Sequence, residues 1–347
     1  MKKSFILALC FLTTATIVTA QNRTADKQQF ASLGDFKLES GGVIKDCRIG
    51  YRTYGHLNAA KTNGILFPTW FHGTSKEIEL YATPWKAIDT TKYFLILADS
   101  FGDGVSSSPS NSVKQHGADF PAFTIKDMVE SEYQFLTKSL AVNHLHAVMG
   151  ISMGGFQTFQ WAVSYPAFMD HLIPIVGSPQ MNSFDLLNAN IGCKIIEADT
   201  GFHHGRYKVN PVIAAGTMLL EINFTTPAYR VKTMSRDGVA GYVRTSEAGQ
   251  SKDWNDQYYQ LKACMGQDIS KQYNGSLKEA ASHIQAKMLI IASQQDRTVS
   301  PGPAIEFSKL LPARLLVLDT ELGHLAWIYF GDAALKKGVA DELADGQ

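Results

Sequence analysis

Short apolar runs separated by loops and by helix-like stretches set the rhythm of the chain. Runs at 65–67, 94–98, 145–149, 172–176, 287–292 and 315–318 read as strands, and helical patterns occupy 125–140, 156–163, 304–311 and the stretch from Leu325 onward. Strands that are apolar throughout and alternate with helices indicate a parallel sheet covered on both faces. Ahead of them, residues 36–54 alternate loosely about Gly41-Gly42, the mark of an antiparallel hairpin, here expected at one edge of the sheet. The fold class is therefore α/β, a mostly parallel central sheet flanked by helices. Between Gln180 and Ile284 the alternation is lost in favour of a helical and irregular segment, which reads as a cap inserted over a site. The expected organisation is an N-terminal segment 1–20, a core in two parts at 21–179 and 285–347, and a cap at 180–284.

The run at 145–149 ends in Gly150-Ile151-Ser152-Met153-Gly154-Gly155, and a helical pattern follows at once. A serine flanked by glycines between a strand and a helix has the form of a nucleophile elbow. The tight turn exposes the hydroxyl, and only glycine-sized neighbours let strand and helix pass.

A serine hydroxyl is a weak nucleophile at neutral pH and needs a base, which in turn needs a group to orient it. On a sheet of this kind the partners follow in the order Ser, Asp or Glu, His, each on a loop after a later strand. Asp296 lies just beyond the strand at 287–292, and His324 beyond the strand at 315–318, so Ser152, Asp296 and His324 form the candidate triad. The oxyanion of an acyl-transfer intermediate needs two backbone N–H groups, one from the residue after the nucleophile and one from a loop after an early strand. Met153 supplies the first, and Trp70 or Phe71, in Pro68-Thr69-Trp70-Phe71-His72-Gly73, supplies the second. His72 lies on the wrong loop for a base and is expected to pack or to form a pocket wall.

Composition adds an address and removes some partners. Lys2 and Lys3 precede an apolar stretch at 5–18 that closes on Val18-Thr19-Ala20, the pattern of a cleaved secretory signal, so the mature chain is expected to start near Gln21 in the periplasm or outside the cell. The segment is too short for a lasting membrane anchor. Without Lys2 and Lys3 there remain 30 basic and 32 acidic residues, a balance that attracts neither nucleic acid nor an anionic membrane. Past Cys10 the cysteines are Cys47, Cys193 and Cys264, an odd number without metal-like spacing, so buried free thiols are expected and at most one disulfide within the chain. His203-His204 offers no third convergent ligand, and no metal or cofactor is expected. The glycine- and serine-rich stretch 101–110 lacks the lysine of a phosphate loop and reads as a loop near the site mouth. Tyr258 and Tyr259, in the cap, either line a pocket or pack.

With these residues in place, the sequence resembles the homoserine O-acetyltransferase family of α/β-hydrolase-fold enzymes over most of its length. Tyr51-Arg52-Thr53-Tyr54-Gly55 with Leu57-Asn58, Thr124-Ile125-Lys126-Asp127-Met128-Val129, and the elbow with Gln157 and Trp161-Ala162 carry the likeness. In the cap, Gly205-Arg206-Tyr207 and the stretch from Asp256 to Leu261 look similar to family landmarks. The resemblance implies the α/β-hydrolase fold and puts nucleophile, acid and base on Ser152, Asp296 and His324. It marks Arg206, Tyr258 and Leu325 as pocket candidates. Two positions depart from the family. Leu325 stands where an aspartate that helps hold the substrate's amino group typically follows the histidine, and the early loop replaces a His-Ala-Leu-Thr-Gly pattern, whose leucine aligns with Trp70.

The expected activity is acyl transfer through an acyl-Ser152 intermediate, with a small-molecule ester or acyl donor as partner. Leu325 and the signal segment favour water as acceptor and hence an esterase-like hydrolase. An acyltransferase using acetyl-CoA is the alternative, a non-catalytic binding protein on the same fold is a third reading, and a homodimer is left open.

Overall fold

The computed structural model describes residues 27–81, 88–248, 252–329 and 333–344. The segment read as a secretory signal lies outside them. Among the described residues, one eight-stranded sheet has the order β1-β2-β4-β3-β5-β6-β7-β8. Its strands are β1 Gln29–Lys37, β2 Val43–Tyr54, β3 Gly64–Pro68, β4 Phe94–Ala98, β5 Leu145–Ile151, β6 Met169–Ile175, β7 Lys287–Ser293 and β8 Ala313–Leu318. The β1–β2 and β2–β4 pairs are antiparallel, and every other pair is parallel.

The helices, in chain order, are α1 Ser75–Tyr81, α2 Ile125–Gln134, α3 Met153–Ser164, α4 Ser183–Ala198, α5 Ala214–Phe224, α6 Pro227–Thr233, α7 Gly238–Glu247, α8 Trp254–Met265, α9 Leu277–Ser282, α10 Gly302–Phe307 and α11 Ala333–Ala344. Each central strand sends alternate side chains into two separate cores, which is why its run is apolar without a break. Leu66, Ile96, Val148, Leu172 and Ile290 pack beneath α2 and α3, whereas Phe67, Leu97, Met149, Ile173 and Ile291 meet α1 and α11 on the other face. The capping box Thr124–Asp127 starts α2, whose helical path continues through a π-turn at Phe135–Ser139.

Several boundaries differ from the expectation. The edge hairpin begins at Gln29 rather than 36, because register shifts around Gly34, which has φ +67°, disrupt the alternation that would reveal β1. The helix expected at 304–311 is α10, which ends at Phe307. No α-helix begins at Leu325. Residues Gly323–Tyr329 form a 3₁₀ segment, and α11 starts at Ala333.

Helices α4 to α9 lie between β6 and β7 in the chain. They have a small apolar cluster of their own, Ile196, Phe202, Ile213 and Trp254, while Ala263 of α8 and Ala280 of α9 return to the main core. Among the described residues no helix is long and apolar enough to cross a membrane. Cys47, Cys193 and Cys264 are free and buried, and burial pushes their thiols up, to about 12, 11 and 12 respectively.

Candidate active site

Strands β3, β5, β7 and β8 run parallel, so the segments leaving their carboxyl ends converge on the same end of the sheet. Ser152 leaves β5, Asp296 leaves β7, His324 leaves β8, and Trp70 and Phe71 leave β3.

Ser152 has φ +57° and ψ −117°, the strained geometry expected of an elbow. The turn closes so tightly that a Cβ on Gly150 would lie 2.3 Å from the carbonyl oxygen of Gly154, and one on Gly154 would lie 2.6 Å from that of Pro68. The Ser152 N–H donates to the Ile175 carbonyl at 2.9 Å, which fixes the elbow to β6. Met153 is the first residue of α3, so the serine sits at the end of the helix that favours negative charge.

Asp296, His324 and Ser152 form one hydrogen-bonded run. His324 Nδ1 is 2.7 Å from Asp296 Oδ2, and its Nε2 is 2.9 Å from Ser152 Oγ. A carboxylate only accepts, so Nδ1 carries the hydrogen and Nε2 is free to accept from the serine. The other carboxylate oxygen of Asp296 accepts from the N–H groups of Thr298 and Val299 at 2.8 and 2.9 Å. Ser293 Oγ donates to the Gly323 carbonyl at 2.7 Å and so ties the histidine loop to the end of β7.

The loop after β3 is held from several sides. Thr69 N–H donates to the Ala98 carbonyl, Gln157 Nε2 donates to the Thr69 carbonyl, and Gly73 N–H closes a turn on the Trp70 carbonyl. His72, inside that turn, has φ +63°, and its N–H donates to Gln260 Oε1 of α8 at 2.8 Å. Burial, with Lys252 nearby, pulls the His72 imidazole down to about 3, so it stays neutral.

A cavity of about 460 Å³ opens over the serine. Trp70, Phe156, Phe224, Leu325 and Trp327 give it a largely apolar wall. Asp185 is a buried exception, held by the N–H and hydroxyl of Ser300, and burial raises its carboxyl above the usual range.

Of the pocket candidates only Leu325 lines this cavity. Arg206 is exposed and pairs with Asp119 at 2.7 Å, because the 3₁₀ turn before it faces the loop carrying Asp119 instead of the cavity. Tyr258 points back into the cap cluster, where its hydroxyl donates to Glu197 at 2.7 Å. His72 forms part of the cavity wall, whereas His203 and His204 are exposed. The loop at 101–110 abuts α8, and there the N–H and hydroxyl of Ser110 donate to Asp256. Asp185 and Phe224 carry no motif, and nothing local in the sequence marks them for the site; Gln260 lies in the family-like stretch from Asp256 to Leu261, but that likeness gives it no role.

A family model described as the alpha/beta hydrolase fold matches residues 67–192. The chain is 30% identical to an ethyl acetate hydrolase from Pseudomonas veronii over 332 residues, covering 91% of this chain and 94% of that protein. It is also similar to the crystal structure of an acetylester hydrolase from Corynebacterium glutamicum, with a TM-score of 0.82 and 28% identity over 91% of this chain and 95% of that one. A homoserine O-acetyltransferase structure from Bacillus anthracis superposes with a TM-score of 0.84 and 25% identity over 92% of this chain and 98% of that one.

Proposed function

The chain belongs to the homoserine O-acetyltransferase-like family of the α/β-hydrolase fold, and on that premise we propose that it is an esterase-like hydrolase of small esters that works through an acyl-Ser152 intermediate. The observation that carries this reading is the run Asp296–His324–Ser152 beneath an apolar cavity whose wall beside the histidine is Leu325. His324 Nε2 takes the proton as Ser152 Oγ attacks the ester carbonyl, and Asp296 holds the ring and steadies the imidazolium. The N–H of Met153 and that of Trp70 or Phe71 bind the oxyanion. The imidazolium then protonates the departing alcohol, and the same base activates water to release the acid.

The acceptor distinguishes this from the acyltransferase reading, which the likeness to the Bacillus anthracis enzyme supports. Leu325 gives an amino-acid ammonium no charge-assisted partner at the position where the transferases typically carry an aspartate, and this favours water. The test compares the mature protein with Ser152→Ala. It follows p-nitrophenol release from a short-chain ester, and thiol release from acetyl-CoA with and without L-homoserine. Ser152-dependent ester cleavage indifferent to homoserine is expected. Thiol release that requires both homoserine and Ser152 would establish the transferase instead, and activity that survives Ser152→Ala would overturn both.

Export is part of the same proposal, supported by Lys2-Lys3 and the apolar stretch at 5–18. Mass analysis of the protein recovered from the periplasm or medium is expected to give a chain starting near Gln21. A cytoplasmic chain that keeps its leader would refute export.

A further inference from the structure

We infer that Gln260, on cap helix α8, is a positioning residue that holds the oxyanion turn in its working shape. The inference rests on the acyl-serine reading above. Gln260 is completely buried and does not line the cavity over Ser152. Both ends of its amide are used. Oε1 accepts from the His72 N–H at 2.8 Å, and Nε2 donates to the Phe101 carbonyl at 2.8 Å.

His72 and Phe101 lie on the loops that leave the neighbouring strands β3 and β4. These loops are joined at their base by the hydrogen bond from Thr69 N–H to the Ala98 carbonyl. Gln260 joins them again near their tips, from an element that follows almost two hundred residues later. The tie falls where it is needed. The turn from Trp70 to Gly73 contains the candidate oxyanion amides and keeps His72 at φ +63°, a conformation that a residue with a side chain holds only when its surroundings enforce it. Without this acceptor the His72 N–H loses its partner, and rotating the Phe71–His72 peptide relieves both that loss and the strain. That rotation shifts the amides beside it, to which oxyanion stabilisation is sensitive.

The test uses the full mature protein with p-nitrophenyl acetate. Gln260→Met keeps the length and removes both hydrogen bonds, and kcat is expected to fall about 10- to 100-fold with KM within about twofold. Gln260→Glu supplies the readout that a merely structural role would not move. A buried neutral carboxyl reproduces the acceptor to His72 and the donor to Phe101, whereas the ionised form turns an oxygen against the Phe101 carbonyl. Its kcat is expected to approach that of the natural protein in mild acid and to fall away as pH rises, along a limb the natural protein lacks.

A Gln260→Met kcat within twofold of the natural value, a loss confined to KM, or a Gln260→Glu profile parallel to the natural one overturns the inference. If Gln260→Met fails to fold, the Gln260→Glu profile decides alone. Ser152→Ala in the same assay separates the two levels. Activity that needs Ser152 but ignores Gln260 removes only this inference, and activity that survives Ser152→Ala removes the acyl-serine reading with it.

Discussion

The ring of Phe224 lies nearly parallel to the imidazole of His324, with centroids 6.0 Å apart and planes inclined by 18°. The cap thus reaches the candidate base directly. Two residues on, the N–H and hydroxyl of Thr226 both donate to the Glu321 carbonyl, at 3.0 and 2.8 Å, and fasten the end of α5 to the histidine loop. Asp296 fixes one edge of the imidazole, and Phe224 covers a face. Phe224→Ala is expected to lower kcat for a short ester about tenfold through a less well-held base. Steady-state kinetics on a variant with an unchanged melting temperature check it, and an unaltered kcat would show that Asp296 alone orients the ring.

Leu325, like Trp70, packs against the apolar core on one face of the sheet and forms part of the cavity wall. Leu325→Asp introduces a charge there and is expected to weaken cleavage of an apolar short-chain ester at least about tenfold, mainly through KM. The same substitution supplies a carboxylate for an ammonium, so a homoserine-dependent release of thiol from acetyl-CoA is expected to appear or rise. Unchanged ester kinetics together with no homoserine response would deny this position any part in acceptor choice.

Asp256 is buried on α8, and burial pushes its carboxyl up to about 7 despite the two hydrogen bonds from Ser110. Between the ordinary carboxylate range and about pH 7, the folded chain therefore keeps a proton that the unfolded chain has lost. Stability falls as pH rises through that window and levels off above it. Asp256→Asn keeps an acceptor for the Ser110 N–H and cannot ionise. Its melting temperature relative to the natural protein is expected to climb between pH 4 and pH 7, by about 2–4 °C for each kcal/mol recovered. Parallel melting curves across that range would mean that Asp256 is ionised in the fold at no cost.

Gly154 meets the backbone of β3, since a Cβ there would stand 2.6 Å from the Pro68 carbonyl oxygen. Neither partner is a flexible side-chain end. Gly154→Ala is expected to destabilise the fold by about 1–3 kcal/mol in urea denaturation and to depress activity, because Pro68 leads directly into the turn with the candidate oxyanion amides. A variant with natural stability and turnover would show that the elbow relaxes freely.

The elements legible in the sequence are those whose cause is local. The run Leu145–Ile151 is buried along its whole length and reads as a strand with no knowledge of its neighbours. The glycines around Ser152 are explained by the turn they occupy. Asp296 and His324 stand out because each follows a strand in the right chain order, and the structure brings them into line with Ser152. β1 is harder to see, since its irregular pairing around Gly34 hides the strand's period. Arg206 and Tyr258 show the limit from the other side. Each lies in a stretch that looks like a family landmark, yet one faces solvent beside Asp119 and the other packs on Glu197.

By itself, then, the sequence marked the central parallel strands and the helices that follow two of them, the sharp turn that holds its serine, and the candidate acid and base that come after it in chain order. These follow from apolar periodicity, from the space a glycine leaves, and from the order of strands along the chain. Only the tertiary structure decided what the cap does at the site. The contacts of Phe224 with His324 and of Gln260 with His72 join residues 100 or more positions apart. Aromatic and amide side chains of these types occur throughout any globular chain, and their meaning comes from the partner that folding brings to them.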